Sequence, residues 1–543
     1  MKKLKVGLML IVLVMLVSSV VMAEEDLKTY SIFNGIALPE YDGDTILGDI
    51  IREETGVKLE REYLVGDLET KVGLMISSGD YPDMVQAAHF TNRLVDAGAL
   101  IPLEELIDKH APNIKKYYAK HLEAMTQEDG HIYSIPQQAI PFEPSGRRYP
   151  SVGFYINKAV LKDAGWPVVK TFDEFFELVA DYQEKNPTYK GENTIGYLTL
   201  FDEWRNFATL NGPMHLMGYP NEGGFIPTMR GEEPVVEPYY GGRVEKYYYS
   251  KLNEMYNEGV VDGETFVDNY DKYIEKLSSG RVLATHNQHW QVQDAQDVLV
   301  KEEPDRILVP FPVTYAHGVE EHMRDTPYIQ STQGTGITTA CDDPVGAIKY
   351  LDYLVANEQM IMWGIEGEHY EVDEDGKYYR TPEQQELFDD PEWVRHELGT
   401  PYFRNSLPSL IGLDENGNSY MPDRQASMIY EGSSKTEKEV MDAYGIKSFT
   451  EFYNDPKPTE EVPWFPLWTI TLESGGPADI ESTRMSETLR EYVPKLVMAE
   501  SDNFEDVWAE YTDNISGQMD EQIKAFQERI DWRVENWSVD IEE

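Results

Sequence analysis

The sequence predicts an α/β protein built as two successive units, each around a mostly parallel sheet. Three observations carry this. Short apolar strands alternate with amphipathic helices from residue 28 to 150, the pattern of βα units. The same alternation restarts near Ser151. The chain has 543 residues, enough for two to four domains and a large buried core.

In order, Tyr30-Ser31-Ile32-Phe33 reads as the first strand. Thr45 to Thr55 reads as a helix with Ile46, Leu47, Ile50 and Ile51 on one face and Gly56 ending it. Val57 to Arg61 is the next strand, and Tyr81-Pro82-Asp83-Met84-Val85 is a tight turn entering a third. The second unit opens with the strand Gly153 to Asn157. Thr171 and Glu174 form a capping box before the apolar positions Phe175, Phe176, Leu178 and Val179. Residues 211 to 243, rich in Gly and Pro, read as irregular loop. Asp262 to Gly280 reads as helix, Arg281 to Thr285 and Ile307 to Pro310 as strands. Asp343-Pro344 starts a helix with Ile348, Leu351, Leu354 and Val355 on one face. Trp508, Tyr511, Ile515, Met519, Ile523, Phe526 and Ile530 recur at spacings of three and four, which predicts one long helix packed on the body.

Lys2, Lys3 and Lys5 precede an apolar run from Val6 to Val17, with small residues at Val21 and Ala23. This is the pattern of a secretory signal peptide cut after Ala23. The alternative is an uncleaved anchor, for which the run is short against the ~20 residues of a span. No cysteine lies near the cut, so no lipid anchor is expected. The formal charge of −51 argues against nucleic acid and against anionic membrane surfaces, because both need basic contacts. The single Cys341 excludes an intrachain disulfide framework and any zinc site built from several cysteines.

Four segments together resemble the extracellular solute-binding proteins of sugar uptake systems, family 1, in particular its large lipoprotein-like branch. They are Ser78-Gly79-Asp80-Tyr81-Pro82-Asp83, Asp129-Gly130-His131-Ile132-Tyr133-Ser134-Ile135-Pro136, Phe154-Tyr155-Ile156-Asn157-Lys158 with Ala164-Gly165, and Leu351 to Leu354 followed by Trp363 to Tyr370. Their order and spacing, over residues 28 to 535, carry the match. The missing lipidation cysteine departs from many relatives and implies free diffusion in a periplasm, or secretion from a single-membraned host. The resemblance implies a type II periplasmic-binding-protein fold: two discontinuous lobes joined by hinge strands, closing on a ligand in the cleft between them. After the signal peptide at 1–23, lobe one is expected at 27–152 plus 281–335 and lobe two at 153–280 plus 336–500. A C-terminal helical segment, 501–543, is expected to pack on the lobes. The function implied is a monomeric, non-catalytic binding component delivering a sugar or oligosaccharide to ABC-type permease subunits, with no cofactor.

A sugar offers hydroxyls around a weakly apolar ring face, so it calls for flat aromatic plates and planar polar partners. Most of the 35 tyrosines and 10 tryptophans serve as core or surface filler. Candidates are those after strand ends. Trp290 and His289 follow the Arg281–Thr285 strand, where relatives present a stacking aromatic, and Trp204 and Arg205 follow Leu198-Thr199-Leu200. Asp80 and Asp83 flank the Pro82 turn as acceptors for sugar hydroxyls or, alternatively, as turn caps. Trp363, Glu366 and Tyr370 stand in a motif that binds ligand or only shapes a turn, and Trp464 and Trp468 flank Pro463 and Pro466.

His286 and His289, three apart, lack a third ligand placed by sequence, so no metal is expected. Asp414, Asn416 and Asn418 imitate the start of a calcium loop. Ser419 stands where the turn Gly belongs and Gln425 where the bidentate Glu belongs, so the segment reads as a polar hairpin. No P-loop, G-x-S-x-G or H-E-x-x-H motif occurs. The alternative function is a secreted glycoside hydrolase, since 98 acidic residues leave room for a catalytic carboxylate pair. A third is a sensor whose closed form engages a receptor.

Overall fold

The computed structural model describes residues 27–36, 38–127, 129–220, 225–230, 233–325, 330–457, 468 and 470–537. The expected signal segment and Trp464 lie outside them. In chain order the principal strands are β1 (Lys28–Asn34), β2 (Val57–Tyr63), β3 (Met84–Gln86), β4 (Ile135–Gln137), β5 (Val152–Asn157), β6 (Ile195–Leu198), β7 (Phe225–Arg230), β8 (Glu233–Pro238), β9 (Val282–Gln288), β10 (Leu308–Phe311) and β11 (Gln330–Ile337). The chain divides into two compact units, residues 1–141 with 331–410 and residues 142–330 with 411–543.

The sheet of the first unit has the order β2-β1-β3-β11-β4. β1 runs parallel to β2 and β3, and β11 is antiparallel to β3. The sheet of the second unit has the order β10-β5-β9-β6, with β9 parallel to β6 and antiparallel to β5. Both are mixed sheets; in the second unit β5 pairs antiparallel with both β9 and β10, so the expected mostly parallel sheet is not found there. The lobe boundaries differ from the expected ones. Residues 281–330 belong to the second unit, because β9 hydrogen-bonds between β5 and β6. Residues 336–410 belong to the first, because β11 pairs with β3 and Asp352 accepts the Asn113 and Ile114 N–H groups at 2.8 and 2.7 Å. The expected bounds were those the resemblance implied; strand pairing, which no local pattern reveals, puts these segments in the other unit.

The helices follow local chemistry closely. The principal ones are α1 (Ile46–Thr55), α2 (Phe172–Lys185), α3 (Arg243–Asn257), α4 (Tyr270–Ser278), α5 (His289–Glu302), α6 (Pro344–Ala356), α7 (Pro477–Met498), α8 (Phe504–Ile515) and α9 (Asp520–Asn536). Thr45 caps α1, and Gly56 ends it at φ +66, a left-handed conformation costly for residues with a Cβ. The capping box of Thr171 and Glu174 forms, and Phe172, Phe175, Phe176 and Val179 are buried. Each buried Phe contributes roughly 2 kcal/mol. Asp343 caps α6, which buries Ile348, Leu351, Leu354 and Val355.

Three segments depart from expectation. Residues 211–243 hold a short helix, Gly212–Leu216, and the antiparallel hairpin β7–β8. The Gly- and Pro-rich composition hid them, and the Val236 N–H donates to Gln527 Oε1 at 2.9 Å. The helix expected from Asp262 begins only at Tyr270, because Asp262, Glu264 and Asp268 fold around the buried Lys276 ammonium at 2.7, 2.9 and 2.5 Å. The C-terminal periodicity forms two helices, α8 and α9, with a turn at 516–519. There the Glu481 carboxylate accepts the Glu521 and Gln522 N–H groups at 2.8 and 3.1 Å, holding the new helix start. The whole C-terminal region is integral to the second unit, with Asn253 of α3 donating to the Leu496 and Val497 carbonyls at 3.1 Å each.

Candidate functional site

In parallel α/β sheets the carboxyl ends of the strands are the usual ligand edge. In the second unit β6 and β9 are parallel neighbours, with Thr285 opposite Leu198. Trp204 follows the end of β6 and Trp290 stands in the first turn of α5, which starts directly after β9. Their indoles lie with centroids 5.9 Å apart and planes 14° from parallel. Phe207 completes the cluster, at 6.0 Å from Trp204 and 6.1 Å from Trp290. Trp204 is 55% and Trp290 50% exposed, so this aromatic wall opens to solvent.

Arg205 lies behind it. Its guanidinium carbon is 4.4 Å from the Trp204 ring centroid and 4.3 Å from that of Tyr270, the first residue of α4. Asp202 orders this corner: its carbonyl accepts the Arg205 N–H at 2.8 Å and its carboxylate the Tyr270 N–H at 3.0 Å. Glu203, at φ +41, turns the chain so that Trp204 follows. Such a backbone for a non-glycine residue costs on the order of 1 kcal/mol and is concentrated at functional sites. Trp290 Nε1 donates to Gln288 Oε1, fixing its indole. Beneath, Asn287 donates to Tyr273 Oη at 3.1 Å, and the Gln291 side-chain amide is fully buried with no hydrogen-bond partner among the described residues.

Of the residues expected from sequence, the structure brings Trp204, Arg205 and Trp290 together. His289 is placed otherwise. It stacks on Tyr149 at 4.1 Å and 13°, and the Tyr155 hydroxyl lies 3.3 Å from its Nδ1. Burial pushes its pKa down to about 3, so it is a neutral packing residue beside the wall. His286 pairs instead with His215, Nε2 to Nδ1 at 2.9 Å, so the two histidines share no ligand position.

The other candidates lie elsewhere. Asp83 ties strands together: its carboxylate accepts the Ser31 N–H and hydroxyl, each at 2.8 Å, and its N–H donates to Ser31 Oγ at 3.0 Å. It stands at the amino end of β3, opposite the expected ligand edge, and Asp80 is exposed in the preceding turn. Trp363 is fully buried between Tyr370, Tyr378 and Arg380, and Tyr370 accepts from Gln359, so both are core of the first unit and offer no open face. Trp468 is buried, and its carbonyl accepts from Arg533. An indole is as good a core filler as a sugar platform, and only packing separates the two uses.

Sequence reasoning passed over a group in the first unit. Asn34, Gln86 and Gln137 are the last residues of β1, β3 and β4, all buried. Among the described residues Asn34 Nδ2, both Gln86 amide atoms and Gln137 Nε2 find no hydrogen-bond partner. An amide as the final residue of each strand was the available signal. A cavity of about 600 Å³ at the β2 edge is lined by Tyr41, Arg52, Arg61, Tyr63 and Tyr402 and includes none of the expected residues.

Asp262, Glu264 and Asp268 have the spacing of a metal cluster, but the Lys276 ammonium occupies their centre. In the Asp414 hairpin the Asp414 carboxylate accepts the Asn416 and Asn418 N–H groups at 2.8 Å each, and Gln425 accepts from Ser419 at 2.7 Å. Among the described residues no helix is long and apolar enough to cross a membrane.

The fructooligosaccharide ABC transporter substrate-binding protein FusA of Streptococcus pneumoniae serotype 4 (strain ATCC BAA-334 / TIGR4) is 31% identical over 166 residues, which cover 28% of this chain and 30% of that relative's length. The solved structure of S. pneumoniae FusA in complex with kestose matches at TM-score 0.64 and 18% identity, covering 94% of this chain and 100% of that one. An HMO-binding, ABC-transporter-associated solute-binding protein from Bifidobacterium longum infantis ATCC 15697 matches at TM-score 0.63 and 14% identity, covering 95% of this chain and 100% of that one. At these identities the structural likeness establishes the fold, that of two-domain solute-binding proteins. The model for bacterial extracellular solute-binding proteins matches residues 47–367, more than half of the sequence. The chain belongs to that family.

Proposed function

We propose that this protein is the extracytoplasmic substrate-binding component of an ABC importer and that it carries a sugar or oligosaccharide to a membrane permease without altering it. The observation that carries the reading is the Trp204–Trp290 pair, two near-parallel, half-exposed indoles at the carboxyl edge of a parallel strand pair. Such plates suit the apolar face of a pyranose or furanose ring. Membership of a family of solute binders, and a partial relative described as a fructooligosaccharide transporter component, support the same reading. Export by a signal peptide cut after Ala23, a periplasmic and unanchored mature form, and a monomeric state complete the proposal.

Stacking plus several hydrogen bonds of ~1 kcal/mol each reaches micromolar affinity, about −8 kcal/mol. The test is a panel of neutral and acidic oligosaccharides, kestose among them, followed by thermal shift, calorimetry and product analysis. The expected result is saturable binding with the ligand recovered intact. Cleavage of a glycosidic bond at enzyme-like rates would establish a hydrolase instead.

A further inference from the structure

Arg205 stands apart in a chain that carries 98 acidic residues. Its guanidinium lies 4.4 Å from the Trp204 ring centroid and 4.3 Å from that of Tyr270. Among the described residues its side chain forms no ion pair and no hydrogen bond, and its Nε is fully buried. Two acids precede it in sequence: Glu203 is exposed and, among the described residues, forms no ion pair with it, and the Asp202 carboxylate is already engaged, accepting the Tyr270 N–H at 3.0 Å. A guanidinium desolvated on its faces and lacking a counter-ion is normally avoided, because burying an unpaired charge is expensive. The two aromatic faces offset part of that cost through their quadrupoles. They also hold the planar fork still, so little freedom is lost when its N–H groups find acceptors. The adjoining surface is the half-exposed Trp204–Trp290 pair.

We infer that Arg205 is the specificity-determining residue of this wall, its N–H fork reading two adjacent acceptor oxygens on the bound sugar. The inference rests on the reading of the indole pair as a sugar platform. A paired acceptor of this geometry is either the carboxylate of a uronic acid or a vicinal diol of a neutral sugar. Both match a planar fork, and a single hydroxyl does not.

Calorimetry on the full mature chain separates these sources and the underlying reading. The probes are an oligogalacturonate and the neutral trisaccharide kestose, tested on wild type, R205K, R205Q and W290A. If the acceptor is a carboxylate, wild type binds the oligogalacturonate, R205Q weakens it at least 100-fold, and the salt dependence of Kd disappears with the charge. If it is a diol, wild type binds kestose and R205Q weakens it about tenfold, independent of salt. In both arms R205K, which keeps a cation over the rings but loses the fork, restores stability without restoring affinity. Affinity within twofold of wild type in R205Q, for a ligand that W290A weakens, overturns the role of Arg205 and leaves the platform standing. Full recovery of affinity in R205K also overturns it, because the residue then acts only as a packed cation. If no oligosaccharide binds, or W290A changes nothing, the platform reading falls and this inference falls with it.

Discussion

Trp204 and Trp290, 86 positions apart in sequence, lie with indole planes 14° from parallel and half of each ring open to water. Indoles half open to water, packed on each other, on Phe207 and, for Trp204, on the Arg205 guanidinium, contribute less to folding than core rings, so their removal should be felt mainly in binding. Trp290→Ala and Trp204→Ala are each expected to weaken oligosaccharide affinity about tenfold to 100-fold, at ~1–3 kcal/mol per lost platform. Unfolding midpoints should move little. Titration calorimetry with urea melts checks both halves, and intrinsic fluorescence should report ligand through these two indoles.

A buried carboxyl sets a pH dependence. Glu245 of α3 accepts from the Tyr511 hydroxyl at 2.7 Å and the Gly241 N–H at 2.5 Å, and burial pushes its pKa from 4.5 up to about 8. Below the ordinary value both folded and unfolded chains hold the proton, so its contribution to stability is fully present there. As pH rises from 4.5 to 8 the unfolded chain ionises first, and stability falls until the folded carboxyl also ionises. The loss is on the order of 5 kcal/mol at 1.36 kcal/mol per pH unit. Glu245→Gln should remove this slope and melt above wild type at pH 8.5, as read from urea curves across that range.

Lys276 is nearly fully buried inside a ring of three carboxylates. Against the penalty of burial, its hydrogen bonds to Asp262, Asp268 and Glu264 raise its pKa, and in turn they hold the Glu264 carboxyl below its usual range. Lys276→Met leaves three acids facing one another. A loss of roughly 3–5 kcal/mol is expected in urea unfolding. Millimolar calcium should recover part of it by filling the vacated centre, whereas the wild type should be indifferent to calcium at this place.

The capping box of α2 is a local device. Thr171 Oγ1 accepts the Glu174 N–H at 3.3 Å and the Glu174 carboxylate accepts the Thr171 N–H at 3.1 Å. Thr171→Ala should cost about 1 kcal/mol, with Thr171→Ser close to neutral, measured by denaturant unfolding.

Much of the secondary structure was legible because its causes are local. A Thr cap, a left-handed Gly56 and an apolar stripe lie within a few residues of each other, so α1, α2 and α6 could be read directly. Trp204, Arg205 and Trp290 were legible as residues following strands. That they meet was not, because the meeting depends on β6 and β9 being neighbours in one sheet. The indoles of Trp363 and Trp468 carried the same chemical promise and are core, since no local signal distinguishes a ring that packs from one that opens to water.

The chain by itself determined its alternation of strands and helices, its caps, its acidic surface and the family it resembles. All of these arise from contacts within a few residues or from composition. Tertiary structure alone decided which strands pair and therefore where the units divide. It also decided which aromatics surface together and that Arg205 has no acidic partner among the described residues. Those outcomes depend on chain segments tens to hundreds of residues apart competing for the same neighbours, and pairing of that kind leaves no periodic trace in sequence.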